Sequence, residues 1–408
     1  MNKKDYKLFF TLILWALIPS IYTLIRMNIV SISNVDINIL GQMEWFDLID
    51  EIIVTTLTVP LYYLLKTNYS DKHKNGSAFI VSSTIYALFT LVVALNVSSV
   101  AEFMEAEFAS QYLLLQSISM LISFVSSFSV IVFTLNDKSK LFNVLLLLKI
   151  ACLLVCDFSL IPGLKDVGTS YSEIIANSIV SISAFIIMLK SNLIAFENLK
   201  FKWMISWLKI GTFSGLQIFI DNFVYAIMIC KMVNAVSESG NYWVANNFIW
   251  GWLLVPVLCC TEIIKKNNLE KLTFKNSWRY GLMIAGLWTL TMPGWKLFLT
   301  KCMAVEASVV LKIVYPSVLF YLAYIPSSFI DGWFISKGKV LYNTINSLIV
   351  NVIYYGIVYV LFKNGVFEQN ISFIVYMFGF GMVVHMIISI CLYIFENNKQ
   401  PKLMQSNC

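Results

Sequence analysis

A few ionisable side chains lie inside long apolar stretches of this sequence, and its chemistry has to be sought among them: Arg26, Asp50, Glu51, Lys149, Asp157, Asp221, Lys231, Glu262, Lys312 and Asp331. Holding such a group at membrane depth costs roughly 2.5–3.5 kcal/mol on insertion scales, so it ordinarily faces a cavity or a partner. Asp221, deep in the stretch 203–232, is too short to reach water, and Arg26 in the stretch 8–33 is a natural counter-charge. Asp47, Asp50 and Glu51 in WFDLIDE are spaced i, i+3, i+4 and share one helix face. They read either as acids favoured by a helix N-terminus or as a cluster that, with Asp157, draws in a cation. Lys149, two turns before Asp157, either neutralises it or meets an anion. Asn247 and Trp250, also i, i+3, would form with Gln217 a mixed polar and aromatic wall able to hold an amphipathic cation. His385 reads as a core histidine. Glu262 reads as the partner of Lys265, and Lys231 and Lys312 as snorkelling residues.

The elements that must position these groups follow from composition. The 408 residues are 59% hydrophobic, 15% aromatic and only 13% charged, with a mean hydropathy of +0.76. An average globular chain is about 25% charged, and this one could not bury its apolar surface in water. A soluble enzyme, a secreted disulfide scaffold and a nucleic-acid binder are excluded. A span takes about 20 apolar residues, and twelve apolar stretches of helical length fit between residues 8 and 395, among them 8–33, 46–65, 141–162, 172–190, 203–232, 243–264, 308–335 and 371–395. The connections alternate in charge: those on one side, with the two termini, hold 21 of the 29 Lys and Arg. The positive-inside rule then predicts an even number of spans with both termini cytoplasmic. The net charge of +6 is topogenic. Most of the eight cysteines sit in apolar runs without zinc-like spacing, and His73 and His385 are the only histidines, so no metal site is expected. The first apolar run is too long for a cleavable signal peptide.

An internal repeat organises the twelve stretches. Pro60 and Pro256 each close a polar-started helix; at that offset Asp50 and Glu51 fall on Asn246 and Asn247. IPSIYTLIRMN resembles FSGLQIFIDNF, which places Arg26 on Asp221, and Lys138/Lys140 precede their helix as Lys337/Lys339 precede theirs. The predicted domains are therefore two six-helix halves, 1–196 and 197–408. Even halves share one orientation, an architecture that puts a transported substrate between them.

Against this background the region SGLQIFIDNFVYAIMICKMVNAVSESGNYWVANNFIWGWLLVP resembles the seventh and eighth helices of the MATE (multidrug and toxin extrusion) transporters. CDFSLIPGLKDVG is similar to that family's aspartate-bearing fifth helix and following Gly-containing loop, and PSSFIDGWFISKGK to its tenth helix. The resemblance implies an all-α polytopic membrane protein of twelve helices, two lobes around a central cleft, and cation-coupled export by rocking between inward and outward states. It implies a cleft-facing Asp221 that binds a cationic substrate or carries a proton, and makes Asp157 the acid of a first-lobe sodium or proton site. It makes Asp331 a loose match to a second-lobe acid. Two departures stand out: Leu153 replaces a frequent Asn, and the first helix carries no carboxylate, Asp36 falling in the loop beyond it. Asp50 and Glu51 are candidate substitutes.

The function expected is a proton- or sodium-coupled antiporter exporting small organic, cationic or amphipathic compounds. The coupling acids are Asp157, Asp50, Glu51 and Asp221; the substrate cleft has Asp221, Arg26, Gln217, Asn247, Trp250 and Asp331. No tightly bound cofactor, no nucleic acid and no catalytic role are expected; the protein is read as a monomer in a bacterial inner membrane. The alternative in the same fold is a flippase for a lipid-linked oligosaccharide, which needs basic residues for a pyrophosphate; Arg26 and Lys149 are a start. An intramembrane enzyme lacks a reactive constellation here, and a non-transporting accessory protein is the remaining reading.

Overall fold

The computed structural model describes residues 3–66, 71–136, 138–267 and 274–405, which form helices with no strand among them. The helices are α1 (Lys3–Ile32), α2 (Ile37–Gly41), α3 (Met43–Lys66), α4 (Lys72–Leu95), α5 (Val97–Phe103), α6 (Ser110–Leu135), α7 (Ser139–Lys190) and α8 (Met204–Tyr225). After a π-helical turn at Ala226–Cys230 come α9 (Lys231–Ala235) and α10 (Ser239–Phe248). A second π turn at Ile249–Leu253 leads to α11 (Val255–Asn267), α12 (Phe274–Lys301), α13 (Ala307–Ser336) and α14 (Val340–Leu348); a third, at Ile349–Tyr354, leads to α15 (Tyr355–Lys363) and α16 (Ile371–Gln405).

Among the described residues nine helices are long and apolar enough to cross a bilayer, or ten when the bent pair Ser239–Leu253 and Val255–Lys265 counts as one span. The twelve stretches of the sequence differ from that number at two places. The 52 residues of α7 are two helices that meet at Lys165, whose φ of 57° and ψ of −130° leave helical space. Pro162, which cannot donate to the helix ladder, prepares this break, and the Lys165 ammonium is held by the Ser33 carbonyl. The Gly-containing loop expected between residues 162 and 172 is thereby reduced to a one-residue corner. The other place is α3, which runs on as an apolar helix after the acids Glu44, Asp47, Asp50 and Glu51 and whose side chains beyond residue 61 lie outside the described residues.

The chain packs as two compact units, Ile25–Ala235 on one hand and Met1–Leu24 with Val236–Cys408 on the other. These cut the chain elsewhere than the repeat boundary at 196/197, because α8 is laced along α3. Gly211 and Gly215, a G-x-x-x-G pair, present no side chain to α3: a Cβ would stand 2.7 Å from the Thr56 carbonyl oxygen at the first and 2.1 Å from Thr56 Oγ1 at the second. Small residues at this spacing let helix backbones approach closely in lipid. One turn earlier Trp207 Nε1 donates to the Leu57 carbonyl at 2.9 Å. Around this seam the unit's core is aromatic and aliphatic, with Phe124, Phe128, Phe133, Tyr86, Leu61 and Trp207 almost fully enclosed.

Candidate functional site

In the unit Ile25–Ala235 the buried charges converge on Arg26, in the part of α1 that belongs to this unit. Its guanidinium meets three acceptors. Nε lies 3.4 Å from Asp157 Oδ2 on the first limb of α7, a side chain with 0% exposure. Nη1 is bonded to Glu173 Oε1 on the second limb, and Nη2 donates to the Thr169 carbonyl at 3.0 Å. The corner at Lys165 makes this possible: it folds the two limbs of α7 so that acids far apart along the helix reach one cation. A planar guanidinium with five donors suits several acceptors at once better than an ammonium does. Removing one member would strand the others in a medium where an uncompensated charge costs several kcal/mol.

A second ring of charge surrounds this triad. Asp47 on α3 lies within electrostatic reach of Glu173, Asp50, Glu44 and Lys149, and Lys149 within reach of Glu173, Arg26, Asp47 and Asp50. Asp50 accepts from the Tyr86 hydroxyl, which also reaches the Met120 carbonyl at 3.2 Å. Tyr86 is held by stacking on Phe124, with ring centroids 4.4 Å apart. Glu51 goes elsewhere: it accepts from Asn222 Nδ2 on α8 at 3.0 Å, while the same amide donates to the Leu48 carbonyl at 3.1 Å. The common face expected of Asp47, Asp50 and Glu51 therefore splits, since adjacent helix positions diverge by about 100°. Lys231, rather than snorkelling freely, stands over the Phe103 ring at 3.9 Å. Asp221 is half-buried on α8, and the side chain of Gln217 lies outside the described residues.

A neutral, buried network also lies in this unit. Gln42 and Asn234 exchange two amide hydrogen bonds, 3.1 and 3.0 Å. Trp45 Nε1 donates to Gln42 at 2.7 Å, and Asn234 reaches the Met104 carbonyl at 2.7 Å.

In the unit formed by Met1–Leu24 and Val236–Cys408, a cavity of about 270 Å³ is lined by Pro19, Ser20, Thr23, Asn247, Trp250 and Trp252, among others. Two of the three residues expected to share a wall, Asn247 and Trp250, do so. The π turn at Ile249–Leu253 shifts the helix register there and turns Trp250 outward, 39% exposed; such bulges recur at functional positions. Trp250 packs edge-on to Tyr324 and Tyr321, with centroids 5.6 and 6.1 Å away. Asp331 on α13 faces α16 instead of this cavity. Its carboxylate accepts from Ser389 Oγ at 3.1 Å and lies 3.6 Å from His385 Nε2, and Asn346 Nδ2 bonds Ser389 at 2.7 Å and the His385 carbonyl at 3.1 Å. His385 is thus partner to an acid, not a plain core histidine. Among the described residues no three Cys, His, Asp or Glu side chains converge closely enough to hold a metal ion.

With this geometry in place the fold can be matched. Over 95% of its length the chain aligns with 96% of an inward-facing multidrug resistance MATE family transporter of the MOP superfamily, at a TM-score of 0.73 and 14% identity. This is the MATE fold. The same fold relates the chain to the Vibrio cholerae MATE transporter VcmN (TM-score 0.65, 14% identity, 98% of this chain and 99% of that one). It also relates it to the lipid II flippase MurJ in an inward closed conformation (TM-score 0.70, 14% identity, 95% and 87%). No family model matches the sequence, and no curated protein does. The MATE fold accounts for the polytopic, multi-pass membrane architecture; identities this low carry the fold and nothing finer.

Glu173 and Tyr86 are the site residues that sequence reasoning missed. The signal for Glu173 was its place inside the apolar stretch 172–190, on the same footing as Asp157.

Proposed function

We propose that the protein is a cation-coupled exporter of small organic, cationic or amphipathic compounds, working as a monomer by alternating access between the repeat halves 1–196 and 197–408. Both termini are cytoplasmic and the membrane is a bacterial inner membrane. The observation that carries this reading is the Arg26–Asp157–Glu173 triad with Asp47, Asp50 and Lys149 around it. A charge network this costly in an apolar helix bundle is retained where an ion or proton must be exchanged. The aromatic cavity beside Trp250 supports a substrate with an apolar, planar face, and a solved MATE multidrug transporter of the same fold, DinF-BH, is described in complex with a bound compound. Asp221 and Asp331 are kept as cleft acids of this reading.

The test is dye efflux from proteoliposomes under imposed proton and sodium gradients, comparing Asp50→Asn, Asp157→Asn, Glu173→Gln and Asp221→Asn with the wild type. Efflux driven by one gradient and lost in Asp157→Asn is the expected result. Efflux indifferent to both gradients in every protein would end the antiporter reading.

A second reading, a flippase for a lipid-linked oligosaccharide, is favoured by the likeness in fold to MurJ and by two basic groups at membrane depth, Arg26 and Lys149. It ranks lower because Arg26 already satisfies two carboxylates, which leaves it poorly disposed toward a pyrophosphate. Flipping of a fluorescent polyprenyl-pyrophosphate sugar, unaffected by ion gradients, would reverse that order.

A further inference from the structure

The acids at the centre of this unit do not wait for a cation from solution; the chain supplies one. Asp157 is entirely enclosed and Glu173 largely so, and the guanidinium of Arg26 stands between them with a backbone carbonyl, that of Thr169, on its third side. These are the ligand types, two carboxylates and a carbonyl, with which a hard monovalent cation would be held. Each is turned to Arg26. The surrounding groups reinforce the arrangement: Asp47 from α3 and Lys149 from the first limb of α7 lie within electrostatic reach, and Tyr112 from α6 is fully buried within reach of Glu173, Arg26 and Asp47.

We infer that Arg26 is a tethered cation that fills the Asp157/Glu173 position and excludes sodium from it, so that Arg26 is the residue that sets the ion selectivity of this unit. The inference rests on reading the triad as the coupling site, and deepens it. A sodium ion entering within about 4 Å of the guanidinium would meet a repulsion of about 4 kcal/mol at an effective dielectric of 20, a loss of roughly a thousandfold in affinity. Removing the tethered charge while leaving both acids turns the same position into an open site of the right sign. A lysine there would keep the tethered charge, though not the three-way fork.

The measurement is the thermal unfolding midpoint of purified protein in detergent, titrated with NaCl against choline chloride at constant ionic strength. A ligand that binds the folded state raises the midpoint in proportion to the logarithm of its concentration above Kd. Wild type and Arg26→Lys are expected to be flat in sodium, Arg26→Gln to rise with it, and Arg26→Gln/Glu173→Gln to lose most of that rise. A sodium-dependent rise in the wild type as steep as in Arg26→Gln overturns the inference, and so does a flat Arg26→Gln. If Arg26→Gln does not fold, wild type and Arg26→Lys still decide, since a rise in either is incompatible with a filled position. Methylguanidinium added to Arg26→Ala, replacing the lost group from solution, is expected to restore both the midpoint and indifference to sodium. These readouts need no transport, so a failure of the exporter reading shows in the efflux assay while a failure of this inference shows here.

Discussion

The two compact units handle polar groups in opposite ways. In Ile25–Ala235 full charges are gathered: one guanidinium is held by two carboxylates, with further acids and a lysine in reach. In the other unit Lys339 pairs with Glu396 between the start of α14 and α16, and the remaining buried polar side chains are mostly neutral. Ser389 and Asn346 share out the hydrogen bonds of one acid–imidazole pair, and among the described residues none that lines the cavity beside Trp250 is charged. Fixed charges hold their partners strongly and select by charge, whereas hydroxyls, amides and aromatic faces select by shape and tolerate variety. Under the proposed function, the ion belongs to the first unit and the apolar portion of the substrate to the second.

The largest effect that could break this comparison is expected from Asp157→Asn. Removing one partner of a buried ion pair costs about 3–5 kcal/mol; with Glu173 still in place the lower end is expected. The unfolding midpoint should fall clearly and ion-driven efflux should vanish, whereas Asp331→Asn should lower the midpoint much less. Equal falls would mean that the two networks are alike after all. Next in size is Trp250→Ala, expected to weaken binding of a planar dye about tenfold, equivalent to roughly 1.4 kcal/mol, without changing the response to ions; quenching of intrinsic fluorescence by the dye reads it directly. His385→Gln is expected to leave efflux within about threefold of wild type, because Ser389, braced by Asn346, still bonds Asp331 and keeps the α13–α16 contact.

The smallest effect concerns acid. Outside the spans Asp71 bonds the Lys200 ammonium at 2.6 Å, and that bond holds its carboxyl below the ordinary value. A depressed carboxyl contributes stability that is complete above its unfolded-state pKa and is lost as pH falls through the folded-state one. Asp71→Asn should therefore narrow the gap to wild type at low pH and differ from it only slightly at neutral pH. The pair is largely exposed and screened by salt, so the difference should shrink further in high salt.

Much of the architecture was legible because charge is rare in this chain. Arg26, Asp157 and Asp331 declared themselves as ionisable groups in apolar runs, and Asn247 with Trp250 by their closeness along the chain; both line the same cavity. Their partners did not. Arg26 and Glu173 are 147 positions apart, and only the one-residue corner at Lys165 brings Glu173 back beside Asp157. A positive φ at a lysine has no composition signal, since glycine is the residue expected there. The π turns were equally silent: each adds one residue to a helical turn without breaking the apolar pattern, and so re-aims Trp250 in a way that i, i+3 counting does not capture. Helix pairing by Gly211 and Gly215 was present as a motif, but its target, Thr56, is a matter of packing.

The segment that joins α7 to α8 has a bearing on how the chain could be built. Between Ser191 and Trp203 it is fastened to the start of α4 at every few residues: Asn75 Nδ2 to the Leu193 carbonyl at 2.9 Å, Ala195 N to the Lys72 carbonyl at 2.9 Å, Ser77 Oγ to the Lys200 carbonyl at 2.6 Å, and Trp203 Nε1 to Ser77 at 3.1 Å. A connector with that many grips does not depend on its covalent continuity to stay in place. Made as two polypeptides separated near residue 197, the molecule would still have the means to reassemble, the second fragment recognising the first through Lys200 and Trp203, which bond Ser77 on α4.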